Sequence, residues 1–475
     1  MATVANLQKE LREYQESMNK ELGEIQANYN ESLDTLWMVL ASMLVFFMHT
    51  GFSLLEAGSV RFKNTQNILV KNLFVVTAGF LCWYVVGYPL ALGALKEPNT
   101  FAGFSDFFMM YFWDERSKFR VWFFQGAFCA TGGTIVSGAM AERTQLKGFA
   151  FFTVLMTSVI YPCVVYWTWS GHGFLSYAND AGDAVSLAGA PYMDFAGSGV
   201  VHMVGGIAAL VGAAAVGPRK DRYTQPEEFS AHSVPFCALG TFFLWFGWYG
   251  FNAGSTGELH DVGTANTVGL VSVNTTLAPC VSGLLVFFLR ATVCAPKLLD
   301  VGGFCNGILA GLVAITAGCA SVAPWESVII GFTGGLVYQS SSLLLERLHV
   351  DDVVDAFSVH GACGCWGVLA LGLFGDPALG NGGNGAFYGG DQAGTQIVAA
   401  LLIALWSGIL STLIFVPLRH LGLLRLSDKF QDVGADTMEH APPRAYHSPP
   451  KPYTTSERPP KLFTVDEREV YAASV

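Results

Sequence analysis

Charge is scarce in this sequence. Its 475 residues carry 26 Lys plus Arg and 37 Asp plus Glu, 13% together, where a soluble domain has about a quarter. That shortage excludes an ordinary soluble globular protein. The 52% of hydrophobic residues and a mean hydropathy of +0.42 indicate a chain that crosses a membrane many times. The formal net charge of −11 argues against a nucleic-acid partner and favours cations near the surface. Cysteine pairs at metal spacing are missing: Cys363-Gly364-Cys365 has no second pair to join it. Cys82, Cys129, Cys163, Cys237, Cys305 and Cys363 fall in apolar runs, where a thiol is a small hydrophobe. Neither a metal centre nor a disulfide framework is therefore expected. No nucleophile motif and no metal-spaced His/Glu pair appears, so an enzyme is not expected, nor a catalytic residue or a cofactor. The chain also lacks a basic segment followed by a short apolar stretch and a cleavage site, so no removable signal peptide is expected.

What the sequence has instead is apolar runs of about 20 residues, the length that spans a bilayer. They lie near 35–57, 70–94, 120–140, 149–169, 196–216, 234–254, 264–289, 301–319, 325–345, 354–375 and 395–418. The reading is an all-α polytopic protein with eleven transmembrane helices. The distribution of basic residues sets its orientation. Arg61, Lys63, Arg143, Lys147, Arg219, Lys220, Arg222, Arg290, Lys297 and Arg347 fall in alternate short loops, and Arg419 and Arg425 in the tail. The intervening loops at 170–195, 255–263, 320–324 and 376–394 hold no Lys or Arg. Only the 95–119 loop departs, with Lys96, Arg116 and Lys118. The expected arrangement is an extracellular tail over 1–33, helical in character (Leu7, Leu11, Tyr14), with Asn30 in a weak glycosylation sequon. A membrane domain over 34–418 and a cytoplasmic tail over 419–475 follow. The Pro-rich polar residues 441–475 are expected to be disordered.

Two segments stand out against this apolar background. Asp194-Phe195-Ala196-Gly197-Ser198-Gly199-Val200-Val201-His202 opens one run, and Asp355-Ala356-Phe357-Ser358-Val359-His360-Gly361 opens another. Each puts a histidine inside a membrane helix, and ionisable groups there usually face a cavity or one another. The segments lie five spans apart. So do Gly51-Phe52 with Ala57-Gly58-Ser59 and Gly250-Phe251 with Ala253-Gly254-Ser255. Five is odd, so the halves are inverted: two five-helix repeats plus a final helix, with a pathway at their interface.

Several segments carry a family resemblance. They are Glu56 to Asn64, Phe124-Gln125-Gly126-Ala127-Phe128, Gly138 to Arg143, Trp167-Thr168-Trp169, Asp194 to His202, Phe251 to Ser255 and Val359-His360-Gly361. Together they resemble the Amt/Mep/Rh ammonium transporters, most closely the Amt branch, over about 35–440. The resemblance implies a homotrimer with one pore per subunit. It implies an outer substrate site of Trp169, Phe128 and Ser255, binding ammonium or methylammonium by cation–π attraction and a hydrogen bond. It also implies a gate of stacked Phe128 and Phe251, with His202 and His360 lining the lumen beyond. Burial there favours neutral imidazoles, each offering one donor and one acceptor. Asp194 is expected to cap its helix while its charge favours a cation nearby. Residues 422–440 resemble the tail segment that contacts a neighbouring subunit, and a cytoplasmic regulator is a further expected partner. Thr437, directly after Gly434-Ala435-Asp436, is displaced by one position from the family's tail threonine, which counts against phosphoregulation there.

The function these readings imply is ammonium transport across the plasma membrane into the cell, without ATP. The alternatives are a passive NH3 channel and an ammonium sensor signalling through the tail. Most of the 36 phenylalanines read as core packing, Trp167 as interfacial belt, and His49, His172 and His349 as structural. Glu56, Arg61, Lys63 and Asn64 read as braces for the end of the first span. Asp351, Asp352 and Asp355 read as capping residues.

Overall fold

The computed structural model describes residues 2–93, 99–175, 190–294 and 297–446. Lys96, most of the 170–195 loop and residues 447–475 of the tail lie outside the described residues. The described chain is helical, with a single isolated bridge pair at Thr144 and Arg425. Eleven long helical segments follow one another. They are α1 (Ala2–Ser59), α2 (Phe62–Leu92), α3 (Lys118–Ala139), α4 (Leu146–Trp169), α5 (Ser198–Val216), α6 (Val234–Ala253), α7 (Val262–Thr292), α8 (Val301–Thr316), α9 (Pro324–Arg347), α10 (Phe357–Phe374) and α11 (Gln392–His420). Among the described residues, nine helices are long and apolar enough to cross a membrane; α3 and the shorter α8 are not among them. Two short tail helices, α12 (Asp428–Val433) and α13 (Ala435–Glu439), complete the chain.

The helix boundaries agree closely with the apolar runs, with two differences. α1 runs unbroken through the polar N-terminal tail into the first apolar run. α2 begins at Phe62, several residues before its apolar stretch, because Asn67, Lys71 and Asn72 are buried inside the bundle despite their polarity.

Two close helix contacts organise the core. α1 packs along α6 with almost no side-chain spacing: a Cβ on Gly51 would stand 2.8 Å from the Leu244 nitrogen, and one on Gly240 2.5 Å from the Leu55 nitrogen. α5 crosses α10 where Gly206 meets the backbone of Gly361 and Gly364 meets Ser198. Small residues allow such approach where lipid gives no hydrophobic drive for helix association.

The end of the bundle bearing the tail is closed by buried ion pairs. Glu142 accepts from the Arg61 nitrogen at 3.0 Å, from the Arg61 side chain, from Asn64 at 3.0 Å and from Arg219 at 3.0 Å. Arg219 also forks onto both oxygens of Asp351 at 2.8 Å each, and Arg143 donates to the Asp351 carbonyl. Burial alone would lift the Glu142 carboxyl, but Arg219 and Arg61 outweigh it and hold it below the usual range. Asp351 is likewise held well below: burial would lift it, and Arg143 and Arg219 overcome that. The tail docks on this girdle. Asp436 accepts the Gln66 and Asn67 amides at 3.0 Å each, and Asn64 accepts the Ala435 amide at 3.0 Å. Glu56 bonds Asn72 at 2.7 Å and Ser137 at 2.8 Å, Arg61 and Asn64 meet Glu142, and Lys63 donates to the Asp432 carbonyl. These four residues do brace the end of α1.

Removing one member of a buried ion cluster leaves the others unpaired, which costs about 3–5 kcal/mol. Glu142→Ala should therefore lower the thermal midpoint of the purified protein sharply at pH 7. A carboxylate with a depressed pKa stabilises fully above its ordinary value of 4.5 and loses that as pH falls through its folded value. The gap between mutant and wild type should accordingly narrow in thermal scans below about pH 4.5.

Candidate functional site

Two helix starts are built to the same plan. Asp194 turns inward and its carboxylate accepts four successive amides, from Gly197 at 3.0 Å, Ser198 at 2.9 Å, Gly199 at 2.8 Å and Val200 at 2.9 Å. The Tyr192 hydroxyl adds a fifth donor at 3.2 Å. Burial pushes this carboxyl up while those amides draw it back. With its lone pairs so occupied, Asp194 is a helix cap, and its charge acts at a distance. Gly197 takes the left-handed turn at φ +103° that lets the chain enter α5.

The counterpart at α10 is Asp352 rather than Asp355, which corrects the pairing read from the sequence. Asp352 lies eight residues before His360, as Asp194 lies before His202. Its carboxylate accepts the Phe357 amide at 2.7 Å. Asp355 instead occupies the left-handed position equivalent to Gly197, at φ +57°, a region Asp tolerates better than most residues. Its side chain accepts from Tyr338 at 2.8 Å and Ser342 at 3.1 Å. Asp351 belongs to the ion-pair girdle.

Both helices then open with a π-helical stretch, Ser198–Met203 and Phe357–Ala362, and each stretch carries its histidine. Such widened turns shift side-chain direction and are frequent at functional sites. Here they bring the nitrogen edges of His202 and His360 together. Their rings lie 5.2 Å apart at 19°, with Nδ1 to Nδ1 at 3.2 Å. Both are buried, and His202 Nε2 has no hydrogen-bond partner among the described residues. One proton shared between the two Nδ1 atoms makes one ring the donor and the other the acceptor. The ring that gives the Nδ1 proton must then show a bare Nε2, and its partner an Nε2–H. Such a pair presents one acceptor and one donor to whatever passes.

Aromatic rings cover the pair on one side. Phe128 and Phe251 stack at 3.9 Å and 11°, and Phe251 lies 5.3 Å from His202. Phe124 closes on Phe128 at 4.6 Å. Above them Trp169, partly exposed, meets Phe128 edge to face at 6.1 Å and donates its indole N–H to the Asp194 carbonyl at 2.9 Å. Ser255 sits one turn past Phe251 and donates its hydroxyl to the Phe251 carbonyl at 2.9 Å, leaving its lone pairs to accept. The structure thus brings Trp169, Phe128, Phe251, His202 and His360 into one file, with Ser255 beside it and Asp194 behind it. Trp167 is buried against Phe101 and Trp406, and His49 bonds Thr134 at 3.2 Å. His349 packs on Tyr223.

Sequence reasoning missed two members. Trp248 lies flat on His202 at 4.9 Å and 15°, held by its bond to Thr316 at 2.9 Å. The signal was present, since Trp248 sits three residues before Phe251 on the same helix face. Glu56, read only as a brace, also lines a cavity of about 10 Å³ bounded by Phe52 and His360, room for about one water-sized molecule.

An acceptor carboxylate cannot be replaced by an amide at the α5 cap without offering a donor to backbone donors. Asp194→Asn should reduce the yield of folded protein, and Asp194→Ala should reduce it further. Size-exclusion profiles of detergent extracts measure this, and a normal profile for both would remove the capping role.

Comparison with known proteins gives a consistent result. The profile of the Ammonium Transporter Family matches residues 36–445. Over 438 residues the chain is 35% identical to Ammonium transporter 1 member 3 of Solanum lycopersicum, covering 87% of this chain and 93% of that protein. It is 37% identical over 424 residues to Ammonium transporter Amt2 of Archaeoglobus fulgidus, covering 86% and 87%. A solved structure titled Sensor Amt Protein superposes with a TM-score of 0.77 at 32% identity, covering 87% of this chain and all of that one.

Proposed function

This chain belongs to the ammonium transporter family and is an ammonium transporter, and we propose how it does the work. Ammonium is captured between Trp169, Phe128 and Ser255, gives up its proton at the histidine pair, and crosses the bundle as ammonia. The observation that carries this reading is the 3.2 Å Nδ1 contact of His202 and His360 directly beneath the stacked phenyls. The faces of Trp169 and Phe128 attract a cation, and Ser255 accepts one of its N–H bonds. Two phenyl rings in contact exclude a hydrated ion, so the cation must be stripped before it passes. The bare Nε2 of one histidine accepts the ammonium proton. The shared Nδ1 proton then shifts, and the partner's Nε2–H is released on the far side. Potassium matches ammonium in size but has no proton to give, so the pair rejects it.

The membrane layout is part of the same proposal: eleven spanning helices as two inverted five-helix repeats and a final helix in each subunit of a homotrimer in the plasma membrane. Support comes from matched details. Asp194 and Asp352 cap equivalent helices, both histidines sit in π turns, Phe251 faces His202, and Phe52 lies 6.1 Å from His360. The basic residues Arg61, Arg143, Arg219 and Arg222 gather at the tail end, which supports a cytoplasmic C-terminus and an extracellular N-terminus. The homotrimer, a cytoplasmic regulator at the tail, and transport inward rest on the family resemblance. A sensor role is the second reading, favoured by the likeness to the Sensor Amt Protein. A variant that transports normally but loses a signalling response would select it.

Two measurements test the route. Trp169→Ala should raise the apparent Km for methylammonium about 2- to 30-fold, the range that cation–π attraction of about 0.5–2 kcal/mol supplies; an unchanged Km would remove Trp169 from the recruitment site. His202→Leu and His360→Leu should each abolish ammonium-evoked current at wild-type surface expression. A selective, wild-type-sized current in the double mutant would overturn the histidine mechanism.

A further inference from the structure

α1 does not end where a bilayer would. Its 58 residues extend about 87 Å at 1.5 Å per residue, against a hydrocarbon core of about 30 Å. Every side chain from Asn6 to Tyr29 is exposed. A lone helix of that length has no reason to carry apolar residues, yet this one carries them in order. Leu7, Leu11 and Tyr14 recur eleven residues on as Met18, Leu22 and Ile25, and again as Tyr29, Leu33 and Leu36. The repeat extends to the polar residues: Lys9-Glu10-Leu11-Arg12-Glu13-Tyr14-Gln15 returns as Lys20-Glu21-Leu22-Gly23-Glu24-Ile25-Gln26. Eleven residues make close to three turns, so the apolar triplets fall in one stripe along the helix, the pattern that gives a right-handed supercoil.

The charges say what covers the stripe. The ion pairs Lys9–Glu13 at 3.7 Å and Lys20–Glu24 at 4.0 Å repeat with the same step on the far side of the helix. Glu10 and Glu21 flank one edge of the stripe, and Gln15 and Gln26 flank the other. Between parallel helices the glutamate edge of one meets the glutamine edge of the next, and the carboxylate accepts an amide N–H. Between antiparallel helices glutamate would face glutamate. Edge residues choose partner and direction in this way. A lipid surface fits poorly, since residues 6–30 hold three basic and five acidic side chains and no basic rim borders the stripe.

We propose that residues 6–36 form a parallel, right-handed coiled-coil stalk with the same residues of neighbouring copies of this chain. The stalk extends the oligomer beyond the membrane and ties its subunits together from that side. It rests on the homo-oligomer reading above, and the test separates the two.

Cysteine placed on the full-length protein in native membranes, oxidised mildly with copper(II) phenanthroline, reports the contact. Leu11→Cys and Leu22→Cys lie on the stripe; Lys9→Cys and Lys20→Cys lie opposite. The ten native cysteines all fall outside α1, and wild type sets their background. The expected result is at least a tenfold excess of reducible cross-linked dimer for the stripe variants over the opposite-face variants. Light scattering of each variant in detergent gives the mass. An oligomer with no excess at the stripe overturns the stalk alone. A monomer overturns both the stalk and the homo-oligomer.

Discussion

A polar route through an apolar bundle persists only if its polar atoms find partners inside the protein, because lipid supplies none. In the route proposed for this chain that constraint is met by the contact of His202 with His360, and much of the architecture can be traced to that contact. The two rings meet because α5 and α10 touch at Gly206 and Gly361, where no side chain stands between the backbones. They point at one another because each helix begins with a π turn. Each start is in turn held by an aspartate that gathers its free amides. Trp248 and the Phe128–Phe251 stack then keep the pair dry on one side. Loss of any one of these supports would leave buried imidazoles without their geometry.

The girdle at the tail end solves a different problem with the same physics. Several helices end there together, and their charged ends converge in a small space. Pairing Glu142 and Asp351 with Arg61, Arg143 and Arg219 lets those charges be buried, and it leaves Asn64 and the start of α2 as the seat for the tail. The tail is therefore bound to the girdle, in which Arg219 follows α5 and Asp351 precedes α10.

Much of this was legible in the sequence, for identifiable reasons. Apolar length marks the helices, so nearly every run in the sequence has its helix. The file of Trp169, Phe128, Phe251, His202 and His360 was legible because its motifs resemble a family and because histidine is conspicuous among apolar residues. Asp352 was missed in favour of Asp355, since three acidic residues crowd that turn and only backbone conformation tells a cap from a left-handed link. Trp248 was passed over among eleven tryptophans, although its place three residues before Phe251 puts it on the same helix face. The early start of α2 escaped notice because its first turn is held by the tail, from more than 350 residues away: Asp436 accepts the Gln66 and Asn67 amides.

The account stands on one claim, that ammonium is deprotonated at the histidine pair while its proton takes a separate path through the rings. Current recorded under voltage clamp at fixed total ammonium, across a series of external pH values and with potassium as the control cation, tests it most directly. The account predicts an inward current that tracks the ammonium ion as pH is varied, and none with potassium. Ammonia uptake that rises with pH and carries no current, or a potassium current of similar size, would contradict it.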